Sequence, residues 1–312
     1  MKKKFVLFFY TSILVMNLFA EEFVLRMVQI ETTPIADVTK VNKIEMLEHE
    51  VTLSLYEAVM EEKPENFEKA NKNLAKNMLG SFGIKTKNEK KYYYQESGIH
   101  DNHPVVGVSF YDAIYFCNKL SVIKGLVPVY SVDGKLDVEE WDYIPHTGKI
   151  ISGKISQNKY SNGYRLPMQI EWLYAAKGKK NLYPESDSIE DIAWYKENSE
   201  KSTHEIAQKK PNDFGLYDML GNVEEWTFRT NFDKSIVLEN KEKKKELDKQ
   251  VEDGLIASYM FIEKDPLRTT VDGESFRSSA SKYKNILYSK KLVDCNSQDI
   301  DRGFRIVRSI IE

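Results

Sequence analysis

Ser109-Phe-Tyr-Asp112 sets the strongest local constraint on this chain. A serine followed three residues later by an acid has the form of a capping box, in which each side chain satisfies a backbone N–H that the first helical turn leaves unpaired. Phe110, Ala113, Ile114, Cys117 and Leu120 follow at helical spacing and form one apolar stripe. Gly125 stands where such a helix stops. Leu166-Pro167 opens a second helix that runs to about Lys177, with Pro167 in the first turn, Trp172, Ala175 and Ala176 on the buried side, and Gly178 at the end. Val51–Met60 reads as a helix with Val51, Leu55, Ala58 and Val59 on one side. Residues 23–36 alternate like a strand, residues 126–164 read as short strands and turns, and the chain from Thr269 onward reads as strand, loop, strand. The pattern is α+β with two main helices, short strands and much irregular loop.

A fold of that kind needs a large apolar core, and 15 Phe and 18 Tyr in 312 residues supply one. With 41% hydrophobic and 30% charged residues, whole-chain disorder is excluded. Two cysteines exclude a disulfide-stapled scaffold. Cys117 and Cys295 have the option of pairing in an oxidising compartment, but Cys117 lies on the apolar helix face, where a free buried thiol is equally at home. A net charge of −3 gives no basic excess for wrapping nucleic acid.

The N-terminus carries its own signal. Lys2-Lys-Lys4 precedes a nearly unbroken apolar run from Phe5 to Phe19, then Ala20 and two glutamates. This is the layout of a cleavable export signal over residues 1–20. The run is short for a membrane span, which needs roughly 20 apolar residues. Leu18 is larger than the small residue usual before the cut. The expectation is export to the periplasm or cell exterior, with no stable membrane insertion after cleavage, and one domain over 21–312. Residues 61–98 are rich in Lys, Asn and Glu and read as a solvated face with a surface helix around Phe67–Leu79. Residues 232–253 read as a charged insertion.

Several blocks, in order, then point to a family. They are Glu50-Val-Thr-Leu-Ser-Leu-Tyr-Glu-Ala-Val-Met60, His103-Pro-Val-Val-Gly-Val-Ser-Phe-Tyr-Asp-Ala113, Gly163-Tyr-Arg-Leu-Pro-Met-Gln-Ile-Glu-Trp172, Gly215-Leu-Tyr-Asp-Met-Leu-Gly-Asn-Val-Glu-Glu-Trp226 and Arg302-Gly-Phe-Arg-Ile-Val307. Together they resemble the signature blocks of the formylglycine-generating enzyme, or sulfatase-modifying factor, family. The resemblance covers roughly residues 45–310 and implies a C-type-lectin-like α+β fold. Fold alone does not fix function, because relatives of this fold include copper oxidases, iron-dependent sulfoxide synthases and ligand-binding proteins.

The resemblance also implies where chemistry would sit. The family's oxidase holds Cu(I) between two cysteines near the C-terminus, and thiolates are apt soft ligands. The matching segment here is Gly273-Glu-Ser-Phe-Arg-Ser-Ser-Ala-Ser-Lys-Tyr283, in which Ser275 matches the family's serine while Ser278 and Tyr283 stand at the cysteine positions. A hydroxyl does not replace a thiolate on Cu(I), so copper is not expected. Cys295 lies beyond the segment and a single thiol does not make the pair. The iron branch needs a histidine cluster. The close pair here, His100 and His103, reads as a surface loop because Pro104 disfavours a helix there. Ser275, Ser278, Tyr283 and Tyr288 offer hydroxyls, with no base identifiable beside them.

The remaining blocks read as scaffold. By resemblance, Asn222, the Val223 carbonyl and Glu225 occupy the positions of a structural Ca²⁺ site, and such oxygens suit that hard cation. The plainer alternative is that Asn222 caps a turn and Glu225 pairs with a base. Glu224 replaces a usual Trp, and the family's second Ca²⁺ position falls near Ala207 and is not carried over. Arg165 and Arg305 are expected to make buried forks to carboxylates or carbonyls. Met168 stands where the family has Thr and cannot cap a helix. Trp172, Trp194 and Trp226 read as core. A Gly-Gly-x-Phe-x-Met-Gly turn of the family is replaced by Glu31-Thr-Thr-Pro-Ile-Ala36. The functional expectation is a non-catalytic module that binds a protein or small-molecule ligand through Ser275, Arg277, Ser278, Tyr283 and the 288–300 loop. The alternative is an enzyme of altered chemistry at the same cleft. A diversified display loop is disfavoured, since Ser278–Asn296 holds only Asn285 and Asn296 as asparagines.

Overall fold

The computed structural model describes residues 24–31, 43–62, 64, 101–158, 160–178, 188–228, 258–260, 268–283 and 291–310. The export segment, the helix expected around Phe67–Leu79, the 232–253 insertion, His100 and Tyr288 lie outside the described residues. Five α-helices, one 3₁₀ turn (Val138–Glu140) and eleven short strands are described. The helices are α1 (Leu53–Met60), α2 (Phe110–Ile123), α3 (Gln169–Lys177), α4 (Ile189–Ile192) and α5 (Ala280–Tyr283). The strands are β1 (Met27–Ile30), β2 (Ile44–Leu47), β3 (Tyr130–Val132), β4 (Ile155–Gln157), β5 (Tyr164–Arg165), β6 (Glu224–Thr227), β7 (Ser258–Met260), β8 (Arg268–Asp272), β9 (Lys291–Asp294), β10 (Arg302–Gly303) and β11 (Val307–Ser309).

The strands form three small sheets, ordered β1-β2-β11-β5, β10-β6-β8-β9 and β3-β4-β7. Val307 of β11 pairs with Met46 on one side and Arg165 on the other. The C-terminal strand is thus clamped between the N-terminal hairpin and the strand that feeds α3. Among the described residues, all pairings between named strands are antiparallel except β6 with β10.

The capping box of α2 is present in full. Ser109 Oγ accepts the Asp112 N–H at 3.1 Å, and Asp112 Oδ2 accepts the Ser109 N–H at 2.8 Å. Asp112 is also fully buried and accepts the Tyr143 hydroxyl and the His146 N–H, both at 2.8 Å. One carboxylate therefore starts the helix and ties down the 143–146 loop. Phe110, Ala113, Ile114, Cys117 and Leu120 all enter the main core, each large apolar side chain contributing about 1.5–3 kcal/mol. Lys124 closes α2, and Gly125 behind it takes φ +66°.

Three local expectations are corrected. α1 starts at Leu53, capped by Thr52, and Ala58 faces solvent while Tyr56 is buried, so the apolar stripe runs through Tyr56. α3 starts at Gln169, which puts Pro167 before the cap rather than in the first turn. Arg305 lies in the extended link between β10 and β11, not within a strand.

Met168 occupies the α3 cap position with φ −65° and ψ 149° and makes no side-chain capping bond. Only the reverse half of the box exists, with Glu171 Oε2 accepting the Met168 N–H at 2.8 Å. Replacing Met168 by Thr supplies the missing acceptor, and we expect a gain of about 1 kcal/mol in denaturant unfolding. Equal or lower stability would show that the thioether contributes packing that outweighs the cap.

Candidate functional site

The segment that carries the expected ligand residues follows β8 and is folded back on itself. Ser275 is buried and donates its hydroxyl to Asp301 Oδ2 at 3.0 Å. Ser278 is buried and donates to Glu274 Oε2 at 2.6 Å. The Tyr283 hydroxyl donates to the Ser275 carbonyl at 3.0 Å. The Ser275 N–H reaches Ser278 Oγ at 3.4 Å. The two positions that the resemblance sets at the family's cysteines therefore meet at the backbone of Ser275, and both hydroxyls are occupied.

Arg277 is the exception among the four. Its side chain is 46% exposed, with Asp299 at 3.6 Å and Asp301 at 3.9 Å. Its base is fixed, because its N–H donates to Ser275 Oγ at 3.3 Å, and its guanidinium lies 5.6 Å from the Phe276 ring. Phe276 is held in turn by Ser199, whose hydroxyl donates to its carbonyl at 2.9 Å, and by the Asn222 carbonyl, which accepts its N–H at 3.0 Å.

The residues expected at a calcium site do other work. Asn222 Oδ1 accepts the His204 N–H at 2.9 Å and its Nδ2 donates to the His204 carbonyl at 3.2 Å. Its own N–H donates to the Trp194 carbonyl at 2.9 Å. Asn222 has φ +54°, which an asparagine tolerates better than most residues. Gly221 before it has φ +79°, and a Cβ there would stand 2.1 Å from the Trp194 carbonyl, so only glycine fits. Glu225 is fully buried and receives Arg305 Nε and Nη2 at 2.7 Å each, with Trp172 Nε1 also at 2.7 Å. Both carboxylate oxygens point at a guanidinium, and a dication beside it would be repelled. Asn222, Val223 and Glu225 as placed do not fit a calcium cage of six to eight oxygens.

Arg165 and Glu171 form the second fork, with both bonds at 2.7 Å and both residues buried. Trp172 and Trp226 are fully buried as expected. Trp194 is only half-buried: it stacks on His204 with ring centres 3.7 Å apart, under Lys209 Nζ at 3.8 Å. His103 is not a surface residue. It is buried, with Nδ1 3.0 Å from Thr203 Oγ1. Among the described residues, no group of three or more His, Cys, Asp or Glu is arranged to hold a metal ion.

Cys117 and Cys295 are both buried, unbonded members of the main core. Burial pushes both thiols up from their ordinary range. Both lie in the apolar core and not at positions 278 and 283, where the resemblance puts the copper thiolates. A base that the sequence did not reveal does stand beside one hydroxyl: Glu274, on Ser278, shared with Lys282 at 3.5 Å. No local pattern signalled it, because Glu274 takes φ +56° and meets Ser278 across a non-helical turn. Asp299 and Asp301 were missed because nothing in their local pattern indicates which arginine or serine they face.

With this geometry in place, comparison with known proteins gives a consistent result. The model of the sulfatase-modifying factor enzyme 1-like domain matches residues 18–310. The chain belongs to that family. A curated relative, Chaperone protein LppX of Paenibacillus barcinonensis, is 34% identical over 151 residues, 40% of this chain and 51% of the relative. The chain thus matches about half the length of that relative. Among solved structures, Treponema denticola variable protein 1 aligns with a TM-score of 0.61 at 23% identity, over 91% of this chain and 95% of that one. CarF aligns with a TM-score of 0.58 at 23% identity, over 92% and 99%. These two likenesses establish the fold.

Two outcomes follow. Replacing Glu225 by Gln keeps the shape but leaves Arg305 charged and unpaired in the core, so unfolding free energy falls by about 3–5 kcal/mol. A loss under 1 kcal/mol would mean that the fork is not needed. Iodoacetamide should modify neither thiol of the native chain and both after denaturation, read by intact mass. Rapid native labelling of Cys117 or Cys295 would contradict their burial.

Proposed function

We propose that this chain is an exported, non-catalytic member of its family that binds a protein or small-molecule ligand through the face around Arg277. One observation carries the reading. Where the resemblance puts two copper thiolates, this chain has hydroxyls already satisfied by Glu274 and by the Ser275 carbonyl. What remains accessible there is a positioned guanidinium beside Asp299, whose side chain is 48% exposed. A planar fork with donors not drawn into close hydrogen bonds is suited to recognising a carboxylate or carbonyl on a partner. The name of the Paenibacillus relative, a chaperone protein, is that of a binding protein and supports this reading. Export rests on the Lys2–Ala20 segment, and no described helix is long and apolar enough to cross a membrane.

Altered chemistry at the same place has one observation in its favour, the Ser278–Glu274 contact. A carboxylate is a weak base for a serine, Ser278 is 5% exposed, and no histidine is described beside it. Binding is therefore the better reading.

Site-specific photocrosslinking tests the placement. A benzophenone side chain installed at position 277 should yield a discrete adduct in the producing cell, and one at Tyr160, which is 68% exposed elsewhere on the surface, should not. The same adduct from both positions, or an adduct from 160 alone, would remove the ligand face from Arg277.

A further inference from the structure

Glu50 and Asp218 present a problem that the fork at Arg305 does not solve. Glu50 is fully buried, and neither of its carboxyl oxygens has a hydrogen-bond partner on any other described residue. Asp218 is 2% exposed; its Oδ2 accepts the Ala207 N–H at 2.7 Å, and its Oδ1 has no partner. The backbone brings the two acids to the same place. Tyr217 N–H donates to the Glu48 carbonyl at 2.8 Å, and Arg305 Nη2 donates to the Tyr217 carbonyl at 3.0 Å. Arg305 Nη1 lies 3.4 Å from the Leu47 carbonyl. Arg305 thus aims its bonds at Glu225 and at two carbonyls, and none reaches Glu50 or Asp218.

Three buried acids, Glu50, Asp218 and Glu225, stand against this one arginine. Leaving all of them ionised would bury two uncompensated charges, at a cost of several kcal/mol each. Water is not at hand at such depth unless a polar cavity admits it. A metal cation is a poor neutraliser beside a buried guanidinium. A proton is the smallest one, and it also turns one of the two acids into a donor.

We propose that Glu50 is protonated at neutral pH and donates its O–H to Oδ1 of Asp218, so that the pair carries a single negative charge. This arrangement makes the Glu50 O–H and Asp218 Oδ1 each other's partner, and it leaves Asp218 Oδ2 on the Ala207 N–H. Burial pushes both carboxyls up from their ordinary range, and the charge of Asp218 pushes Glu50 further in the same direction. The charged groups acting on the pair are Glu225 from β6, Arg305 from the β10–β11 link and Lys209 from the 203–210 loop. His49, next in the chain, turns its Nδ1 to the Glu50 carbonyl at 2.7 Å.

The pair is placed to act as a pH-sensitive lock. Losing its proton sets two carboxylates against each other, and of the two it is Asp218 that holds the 203–207 loop, through the Ala207 N–H. That loop is bonded to Asn222 through His204, and the Asn222 carbonyl holds Phe276, next to Arg277. An acid whose proton is held more tightly in the folded state stabilises the fold at low pH and loses that contribution as pH rises. The window opens near the ordinary carboxylate values of 3.8 and 4.5 and extends above them.

Carboxyl ¹³C NMR of the full chain, with Glu50 assigned through Glu50→Gln, tests the proposal directly. The Glu50 carbon should keep its protonated shift at pH 7. The folding equilibrium constant of the wild type should fall between pH 5 and 8 by at least tenfold more than that of E50Q, about one decade for each pH unit crossed. Asp218→Asn should flatten the same profile, so the test does not hang on one variant. A Glu50 signal that titrates near 4.5, the ordinary glutamate value, would overturn the proposal. So would parallel stability profiles for wild type, E50Q and D218N. Neither readout depends on Arg277 meeting a ligand.

Discussion

The buried fork between Arg305 and Glu225 is the contact on which the rest of the molecule leans. It joins the extended link between β10 and β11 to β6, and Arg305 extends it to the carbonyls of Leu47 and Tyr217, while Trp172 donates to the Glu225 oxygen that also takes Arg305 Nε. Five separate parts of the chain therefore converge on one ion pair. A pair so deep does not add much net stability, because desolvation cancels most of its attraction. Its effect is to specify geometry. Remove either partner and the other is left charged in an apolar interior.

A second fork, Arg165 with Glu171, repeats the device at the start of α3. Between the two, hydrogen-bonded loops take the place of long regular elements. Asn222 is the clearest case, since its side chain and backbone bond residues 194, 204 and 276 at once. A loop fixed in this way positions Arg277 as firmly as a strand would, which is what a binding face on irregular structure requires.

Much of this was legible in the sequence where the signal is local. The α2 box at Ser109 and Asp112, the stop at Gly125 and the absent cap at Met168 all follow from one turn of helix. The ordered blocks gave the family, and Arg165 and Arg305 were legible as forks. What could not be read was which acid meets which base, because that depends on residues far apart in the chain. Glu225 lies 80 positions from Arg305 and Asp301 lies 26 from Ser275. The same blindness placed His103 on the surface and Trp194 in the core. At Asn222 and Glu225 the local pattern fits a cation site and a turn with an ion pair equally, and the bonds to His204 and Arg305 come from residues the pattern does not reach.

The central claim is that hydroxyls bonded to Glu274 and to the Ser275 carbonyl, beside an exposed Arg277, stand where the resemblance puts the family's copper thiolates. Intact mass analysis of a Cys-x-Pro-x-Arg peptide, incubated with residues 21–312, Cu(I) and oxygen beside an active family enzyme, tests it most directly. The account predicts an unchanged peptide mass in this chain's reaction and aldehyde product in the control. Conversion by this chain would contradict it, and would mean that a thiol reaches copper by a route other than positions 278 and 283.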